Sequence, residues 1–150
     1  MNVTLKATYG IMAALDLALQ NGDAPVQAKA IAKRQAIPAR FLEHVLNALK
    51  KAGLVGSQRG AQGGYVLSKR PSEVSLADIV EALDGPITTL PKESSGAHQN
   101  AYHRTRGSVL ASVWDRLEEA ELNVLSGVTL EELVERQRKL EQQHALMYHI

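Results

Sequence analysis

The chain has 150 residues, of which 45% are hydrophobic and only 4% aromatic, so Leu, Ile, Val and Ala must fill most of any core. It contains no cysteine, which excludes disulfides, a thiolate nucleophile and a cysteine-held zinc or iron–sulfur centre. The apolar stretch at residues 5–19 contains Lys6 and Asp16 and is shorter than the about 20 residues that span a bilayer. We therefore expect a soluble, cytoplasmic protein without a membrane segment.

The net charge of +1 conceals an uneven distribution of charge along the chain. Residues 1–70 carry ten Lys or Arg and three Asp or Glu, whereas residues 71–150 carry seven and thirteen, respectively. This asymmetry indicates a basic half that meets a polyanion and an acidic half that does not. Chance clustering of surface charge is the alternative at this point.

Three helices are predicted in the first half of the chain. Apolar residues at steps of three and four predict one at residues 5–20 and a shorter one at residues 26–35. A tight turn then leads to a third helix that starts at Pro38, where the missing N–H costs nothing, and ends at Gly53. Its residues predicted to face inward are Phe41, Leu42, Val45, Leu46 and Leu49.

The spacing of apolar residues then changes from that of a helix to that of two short strands. They are predicted at residues 54–59 and 65–69, and three glycines between them suit a tight hairpin tip. Ser75 is expected to cap a fourth helix over residues 76–83.

The second half is predicted to contain one loop and two helices. Residues 86–104 have no apolar period and are expected to form a loop, followed by a helix over residues 106–125. Thr129 and Glu132 have the spacing of a capping box, which begins a helix that runs towards His144 and an apolar tail. We expect the chain to divide into a first domain at 1–85, the loop at 86–104, and two helices at 105–150.

Three helices followed by a hairpin is the order of a winged helix-turn-helix, in which the third helix enters the major groove of DNA. The predicted fold is mainly α, with a small β-hairpin wing and a long C-terminal dimerisation helix. Helical spacing places one polar set on the outward face of the third helix: Arg40, Glu43, His44, Asn47 and Lys51. Arg can read guanine, Glu can read cytosine and Asn can read adenine. An ordinary solvated helix face is equally polar, so the turn before and the hairpin after this helix favour DNA.

The hairpin and the scattered basic residues extend the predicted DNA surface. Arg59 stands at the edge of the glycine-rich tip, and the narrow minor groove attracts arginine. A plain tight turn with a solvated Arg59 is the alternative. Phosphate contacts, which give affinity without sequence choice, are expected from about half of a basic set: Lys6, Lys29, Lys33, Arg34, Lys50, Lys69 and Arg70.

Several motifs resemble those of the Rrf-two (Rrf2) family of transcription regulators. They are Thr8-Tyr9-Gly10-Ile11 with Leu15-Asp16-Leu17-Ala18, Ile37-Pro38 with Phe41-Leu42-Glu43, Ala52-Gly53-Leu54-Val55, the wing Arg59-Gly60 with Gly63-Gly64-Tyr65, and Val128 to Val134. The likeness covers nearly the whole chain, and the wing motif at its distance from the third helix is the most specific part.

The resemblance implies homodimers that bind an imperfect palindrome with the third helix and place a wing arginine in the minor groove. Arg40 and Glu43 match base-reading positions, Arg59 matches the wing arginine, and Ala39 stands where relatives often have a polar contact residue. The full predicted DNA-binding set is Lys6, Tyr9, Lys29, Pro38, Ala39, Arg40, Glu43, His44, Asn47, Arg59, Gly60 and Gln62.

The cofactor prediction departs from the family pattern. Sensor members of the family hold a [2Fe–2S] cluster with three cysteines in the loop after the fourth helix, and this chain has none. Because clusters are held chiefly by thiolates, we expect no cofactor. A metal site at His98 and His103 is a weaker alternative, since five-residue spacing does not place two imidazoles on one helical face.

The helix predicted at residues 106–125 is expected to pack against its own copy in a two-fold interface. Its seam consists of Leu110, Val113, Trp114, Leu117, Ala120 and Val124. Folding back onto its own domain is the alternative for part of this helix, notably for Trp114.

The sequence favours a dimeric transcription regulator, most plausibly a repressor, over two other classes of protein. It has no nucleophile elbow, P-loop, dinucleotide fingerprint or metal-binding histidine motif, so we expect no enzyme. A winged helix used only for protein interaction stays open as the alternative. Double-stranded DNA and a second copy are the expected partners, and a regulatory protein or small effector is left open as the signal.

Overall fold

The computed structural model describes residues 2–20, 24–88 and 109–149. In chain order the elements are α1 (Leu5–Leu19), α2 (Ala28–Gln35), α3 (Ala39–Lys51), β1 (Val55–Gln58), β2 (Gly64–Leu67), α4 (Leu76–Asp84), α5 (Ala111–Gly127) and α6 (Leu130–Tyr148). A short 3₁₀ turn, Pro71–Glu73, precedes α4. The predicted fold class, mainly helical with a two-stranded wing, is confirmed. Most of the predicted 86–104 loop and residue 106, the predicted start of the next helix, lie outside the described residues. That start is too early, because residues 109 and 110 form a turn and the helix begins at Ala111.

Polar caps set the starts of three helices. The Thr4 hydroxyl accepts a hydrogen bond from the N–H of Ala7 at 3.0 Å at the start of α1. Ser75 and Asp78 exchange hydrogen bonds at 2.9 and 3.2 Å, which forms a capping box at the start of α4. Thr129 accepts from the N–H of Glu132 at 3.2 Å at the start of α6, but the return hydrogen bond of the predicted capping box is absent, and the Glu132 carboxylate accepts from Arg136 instead. The structure therefore confirms Ser75 and Thr129 as caps.

The first three helices and α4 enclose a single apolar core. Fully buried residues include Ile31 of α2, Leu46 and Leu49 of α3, and Ile79 of α4. Helix α1 crosses α4 so closely that a Cβ on Gly10 would come within 2.0 Å of a Leu83 methyl carbon. Small residues in α1 therefore let the two helices approach.

Two expectations about α3 are wrong in detail. Phe41 is 48% exposed rather than inward-facing. The buried stripe of α3 begins at Leu42, and a step of about 100° per residue places Phe41 at its edge. Pro38 is the residue before the helix, with an extended ψ of 132°, and Ala39 is the first helical residue. A shift of one residue at a helix start is common because helix ends are set by single hydrogen bonds.

The C-terminal helix returns to the core of the first four helices. Ser75 and Thr129 form an isolated antiparallel bridge, in which the N–H of Leu76 donates to the carbonyl of Val128 and the N–H of Leu130 donates to Val74, each at 2.9 Å. The side chains of Leu130 and Val134 are buried in the same core. Helix α6 then packs on α1, while α5 packs on α4.

Helix α6 extends to Tyr148, so most of the tail predicted after His144 is helical. None of the helices in the part of the chain that the structure describes is long and apolar enough to cross a membrane.

Candidate nucleic-acid interface

The outward face of α3 is built as the sequence predicted. Its predicted polar residues are all exposed, namely Arg40, Glu43, His44, Asn47 and Lys51, and so is the neighbouring Ala39. The opposite face of the helix is fixed in the core by Val45, Leu46 and Leu49, which have no exposed surface. Because the buried stripe prevents rotation of the helix, the polar residues face solvent in one fixed orientation. The exposure of these side chains is the geometry that reading of base edges requires.

Helix α1 lies beside the start of this face. The rings of Tyr9 and Phe41 meet edge to face, with centroids 6.0 Å apart and planes inclined by 70°. Tyr9 is half-buried, whereas Lys6, one turn earlier in α1, is exposed. The exposed side of Phe41 therefore extends the surface of α3 towards α1 with an apolar patch. Sequence reasoning missed this aromatic pair because it placed Phe41 in the core.

The wing lies beside the other end of α3. Lys50 donates a hydrogen bond from Nζ to the Ser57 hydroxyl at 2.6 Å, which joins the last turn of α3 to β1. Strand pairing runs from Val55 opposite Leu67 to Gln58 opposite Gly64. Lys50 was predicted as a phosphate contact, and in the structure it is engaged by the wing.

The wing tip leaves its predicted DNA-binding residues in solvent. Arg59, Gly60 and Gln62 are exposed. Gly60 has a φ of +114°, which side-chain-bearing residues rarely adopt. A Cβ at Gly63 would come within 2.2 Å of the Gln58 carbonyl oxygen, so the tip cannot be this tight with a larger residue. These glycines keep the tip narrow.

An ion pair between a buried carboxylate and a partly exposed arginine lies behind the turn between α2 and α3. Asp16 of α1 is 1% exposed, and its carboxylate accepts from Arg34 Nε at 2.9 Å and from Arg34 Nη2 at 2.8 Å. Gln35 Nε2 donates to the same carboxylate at 3.0 Å. The hydrogen bond to Asp16 raises the pKa of Arg34 against the lowering effect of burial.

Sequence reasoning missed this pair and treated Arg34 as a phosphate contact. A signal was present, since Asp16 stands one helical turn from Met12 and Leu19 on the apolar stripe of α1. A carboxylate on such a stripe is rarely buried unless it is paired. Lys29 and Lys33, on the same helix as Arg34, are exposed.

An apolar stripe on α5 is left exposed in the single chain. Leu110, Val113, Leu117 and Val124 are 50%, 50%, 44% and 66% exposed, respectively, and Ala120 is also exposed. At about 100° per residue these five positions lie within an arc of about 80°. Trp114 lies on the neighbouring, partly buried face with Leu125, which packs against the core. The predicted dimer seam is therefore available to a partner, and the role of Trp114 in it stays a prediction.

The donor set for a metal ion is sparse. Among the residues that the structure describes, no group of three or more His, Cys, Asp or Glu side chains could hold a metal ion. His98 and His103 lie outside the described residues. His144 and His149 are exposed near the end of the chain.

Comparison with known proteins decides the family. A profile described as "Rrf2: Iron-dependent Transcriptional regulator" matches residues 3–136. The chain belongs to the Rrf2 family. The members of this family are transcription regulators and not enzymes. This chain is accordingly a DNA-binding transcription regulator of the helix-turn-helix type.

This chain is similar to individual Rrf2 regulators over most of their length. The chain is 35% identical to the HTH-type transcriptional regulator CymR of Bacillus subtilis over 133 residues, which cover 89% of each protein. It is 33% identical to the regulator IscR of Photorhabdus laumondii, over 94% of this chain and 84% of that protein.

Solved structures of Rrf2 regulators share the fold. The structure of the B. subtilis global cysteine regulator CymR superimposes with a TM-score of 0.72 at 33% identity, over 91% of this chain and 98% of that one. IscR of T. potens superimposes with the same TM-score, 0.72, at 35% identity, over 91% of this chain and 88% of that chain.

Proposed function

We propose that this Rrf2 regulator is a cytoplasmic homodimeric repressor that binds an imperfect palindrome in double-stranded DNA. In each subunit α3 enters the major groove, where Arg40, Glu43 and Asn47 read base edges, and Arg59 of the wing enters the minor groove. The observation that carries the proposal is the exposed polar face of α3, fixed by its buried stripe between α1 and the wing. Three further predicted contacts, Pro38, Ala39 and His44, are also exposed.

Backbone contacts to DNA come from residues around that face. Lys6 and Tyr9 of α1, Lys29 of α2, and Gly60 and Gln62 of the wing contact phosphate or sugar. Such contacts give affinity and register but no sequence choice. The charge distribution supports this assignment, since residues 1–70 carry ten of the chain's 17 Lys and Arg residues.

The dimer forms through the α5 seam of Leu110, Val113, Leu117, Ala120 and Val124, with Trp114 at its edge. The exposed apolar residues of this helix support the assignment, because monomeric proteins seldom leave a contiguous apolar patch in water. A two-fold axis through this seam presents two copies of α3, which fit half-sites separated by whole turns of about 34–36 Å. By role, residues 1–85 bind DNA, 86–104 connect, and 105–150 hold the dimer together.

The signal that controls this chain is not an iron–sulfur cluster bound by its own residues. The family profile is described as iron-dependent, but the donors for such a cluster do not fit, since the chain has no cysteine and thiolates are the chief cluster ligands. A partner protein or a small effector supplies the signal instead. Protein purified without oxygen should show no visible absorption band, and an iron chelator should leave its DNA binding unchanged.

Binding-site selection followed by a salt titration tests the proposal. Duplexes recovered from a random or genomic pool should share a two-fold motif, and affinity for that motif should fall steeply with salt, with a log–log slope of about −0.9 per phosphate contact. Light scattering of the free protein should give the mass of a dimer. A chain that enriches no duplex, or whose binding ignores salt, is instead a protein-interaction module. A promoter carrying the motif should be transcribed less in the presence of the protein, and increased transcription would contradict the repressor role.

A further inference from the structure

The buried carboxylate of Asp16 is the one buried charged group in the described part of the chain. Both of its oxygens are engaged: Oδ1 accepts from Arg34 Nε at 2.9 Å and Gln35 Nε2 at 3.0 Å, and Oδ2 accepts from Arg34 Nη2 at 2.8 Å. The guanidinium therefore binds with two parallel hydrogen bonds, the geometry that makes an arginine–carboxylate pair directional as well as strong. Lysine cannot reproduce this geometry.

The pair holds the segment that leads into the recognition helix. Arg34 and Gln35 are the last two residues of α2, and Ala36 follows in the left-handed conformation, with a φ of 52°. The N–H of Ile37 then donates to the Ala32 carbonyl at 3.0 Å, and α3 begins two residues later. The direction in which α3 leaves α2 therefore depends on where the last turn of α2 is fixed on α1.

The same geometry restricts Arg34, because its side chain is 40% exposed but its guanidinium is held on Asp16 through Nε and Nη2. If its guanidinium moved to a phosphate, the carboxylate of Asp16 would stay buried with only Gln35 as a partner. A buried charge without its counterion is strongly unfavourable. Lys29 carries no such restriction, because it is exposed on the same helix. Arg34 and Lys29 thus carry the same charge, but only Arg34 is held by a buried carboxylate.

We infer that Arg34 is a positioning residue for base reading, which holds α3 in register through Asp16 and contacts no phosphate. This inference rests on the proposed DNA-binding function and adds a determinant of specificity that lies outside the DNA surface. Specific binding requires α3 to be placed correctly in the groove, whereas non-specific binding depends on charge alone. Loss of the pair should therefore reduce the ratio of specific to non-specific affinity.

The decisive variant is Arg34→Lys, which keeps the charge and one hydrogen bond to Asp16 but loses the two-pronged geometry. Its affinity for the selected motif should fall by about tenfold, the effect of about one lost base contact, while its affinity for a scrambled duplex and its salt slope stay unchanged. Arg34→Ala should likewise leave the salt slope unchanged. Lys29→Ala is the matched control, and it should reduce the salt slope by about 0.9 and weaken both duplexes equally.

The possible outcomes distinguish failure of the proposed DNA-binding function from failure of the positioning role of Arg34. If the unaltered chain binds no duplex, the proposed function fails. If it binds and Arg34→Lys keeps the wild-type ratio of specific to non-specific affinity, or Arg34→Ala reduces the salt slope by about one contact, the positioning role is overturned. Asp16→Asn provides an independent check in case an Arg34 variant does not fold, since its amide keeps the shape of the carboxylate. It should reduce the ratio as Arg34→Lys does, and a wild-type ratio in folded Asp16→Asn protein would equally overturn the inference.

Discussion

Val26 and Tyr65 exchange two main-chain hydrogen bonds across the base of the wing. The N–H of Val26 donates to the Tyr65 carbonyl at 2.9 Å, and the N–H of Tyr65 donates to the Val26 carbonyl at 2.8 Å. The wing is therefore fixed to the segment that precedes α2, in addition to its own pairing of β1 with β2. Because two-stranded hairpins are only marginally stable alone, this third segment contributes to the orientation of the wing.

Gly64→Ala should disturb this attachment. A Cβ at residue 64 would come within 2.5 Å of the Val26 carbonyl oxygen, so the backbone must shift. We expect a loss of about 1–3 kcal/mol in the free energy of unfolding, measured by thermal or urea denaturation, together with weaker operator binding. Gly56→Ala is the matched control in β1, because its Cβ would meet only ordinary contacts at 3.6 Å or more. Equal stability of the two variants would contradict the close approach.

Arg59→Ala should weaken operator binding without changing stability. Arg59 is exposed at the wing tip, so its removal should leave the core intact and should abolish the proposed minor-groove contact. Fluorescence anisotropy should show lower affinity for the operator. Lys139→Ala, which removes one charge from the exposed surface of α6, should bind as the unaltered chain does. Unchanged binding of Arg59→Ala would remove the wing from the mechanism.

Substitution of Glu43 should change base preference more than total affinity. Its carboxylate stands on the exposed face of α3 and can accept from cytosine N4, so Glu43→Ala should lose about 1–3 kcal/mol of discrimination at one base pair. Glu43→Gln keeps the size of the side chain and should shift the preference at that position towards adenine. Binding-site selection measures both effects. An identical motif from all three proteins would show that Glu43 does not read bases.

Leu117→Glu should separate the dimer. It places a charge in the middle of the apolar seam on α5, which would be buried against its own copy across the two-fold axis. Analytical ultracentrifugation should show the mass of one chain, and operator affinity should fall because one half-site contact is lost. Leu122→Glu is the control on the same helix, since residue 122 is 39% exposed and lies about 140° around the helix from Leu117. Dimers that survive Leu117→Glu and dissociate with Leu122→Glu would place the interface elsewhere.

Local patterns in the sequence were enough to predict the helices, the wing and the exposed face of α3. Apolar spacing and the polar caps Ser75 and Thr129 depend on neighbours within a few residues, so they can be recognised without the fold. The order of these elements along the chain then predicted a winged helix-turn-helix.

Contacts between distant segments could not be predicted in the same way. The pair of Asp16 and Arg34 joins two helices, and only the packed structure shows that the guanidinium meets the buried carboxylate. The bridge from Val26 to Tyr65 needs the register of two separate segments. Phe41 stands at the edge of a helical stripe, where a change of a few degrees in helix rotation decides between burial and exposure.

The bridge from Ser75 to Thr129 shows that the proposed DNA-binding domain does not fold from its own residues alone. A polypeptide truncated after residue 88 would leave the N–H of Leu76 without its acceptor and would remove Leu130 and Val134 from the interior. The domain that we propose to bind DNA is therefore completed by residues of α6. Shortened versions made for structural or biochemical work should retain the beginning of α6, or they will lack part of their own hydrophobic centre.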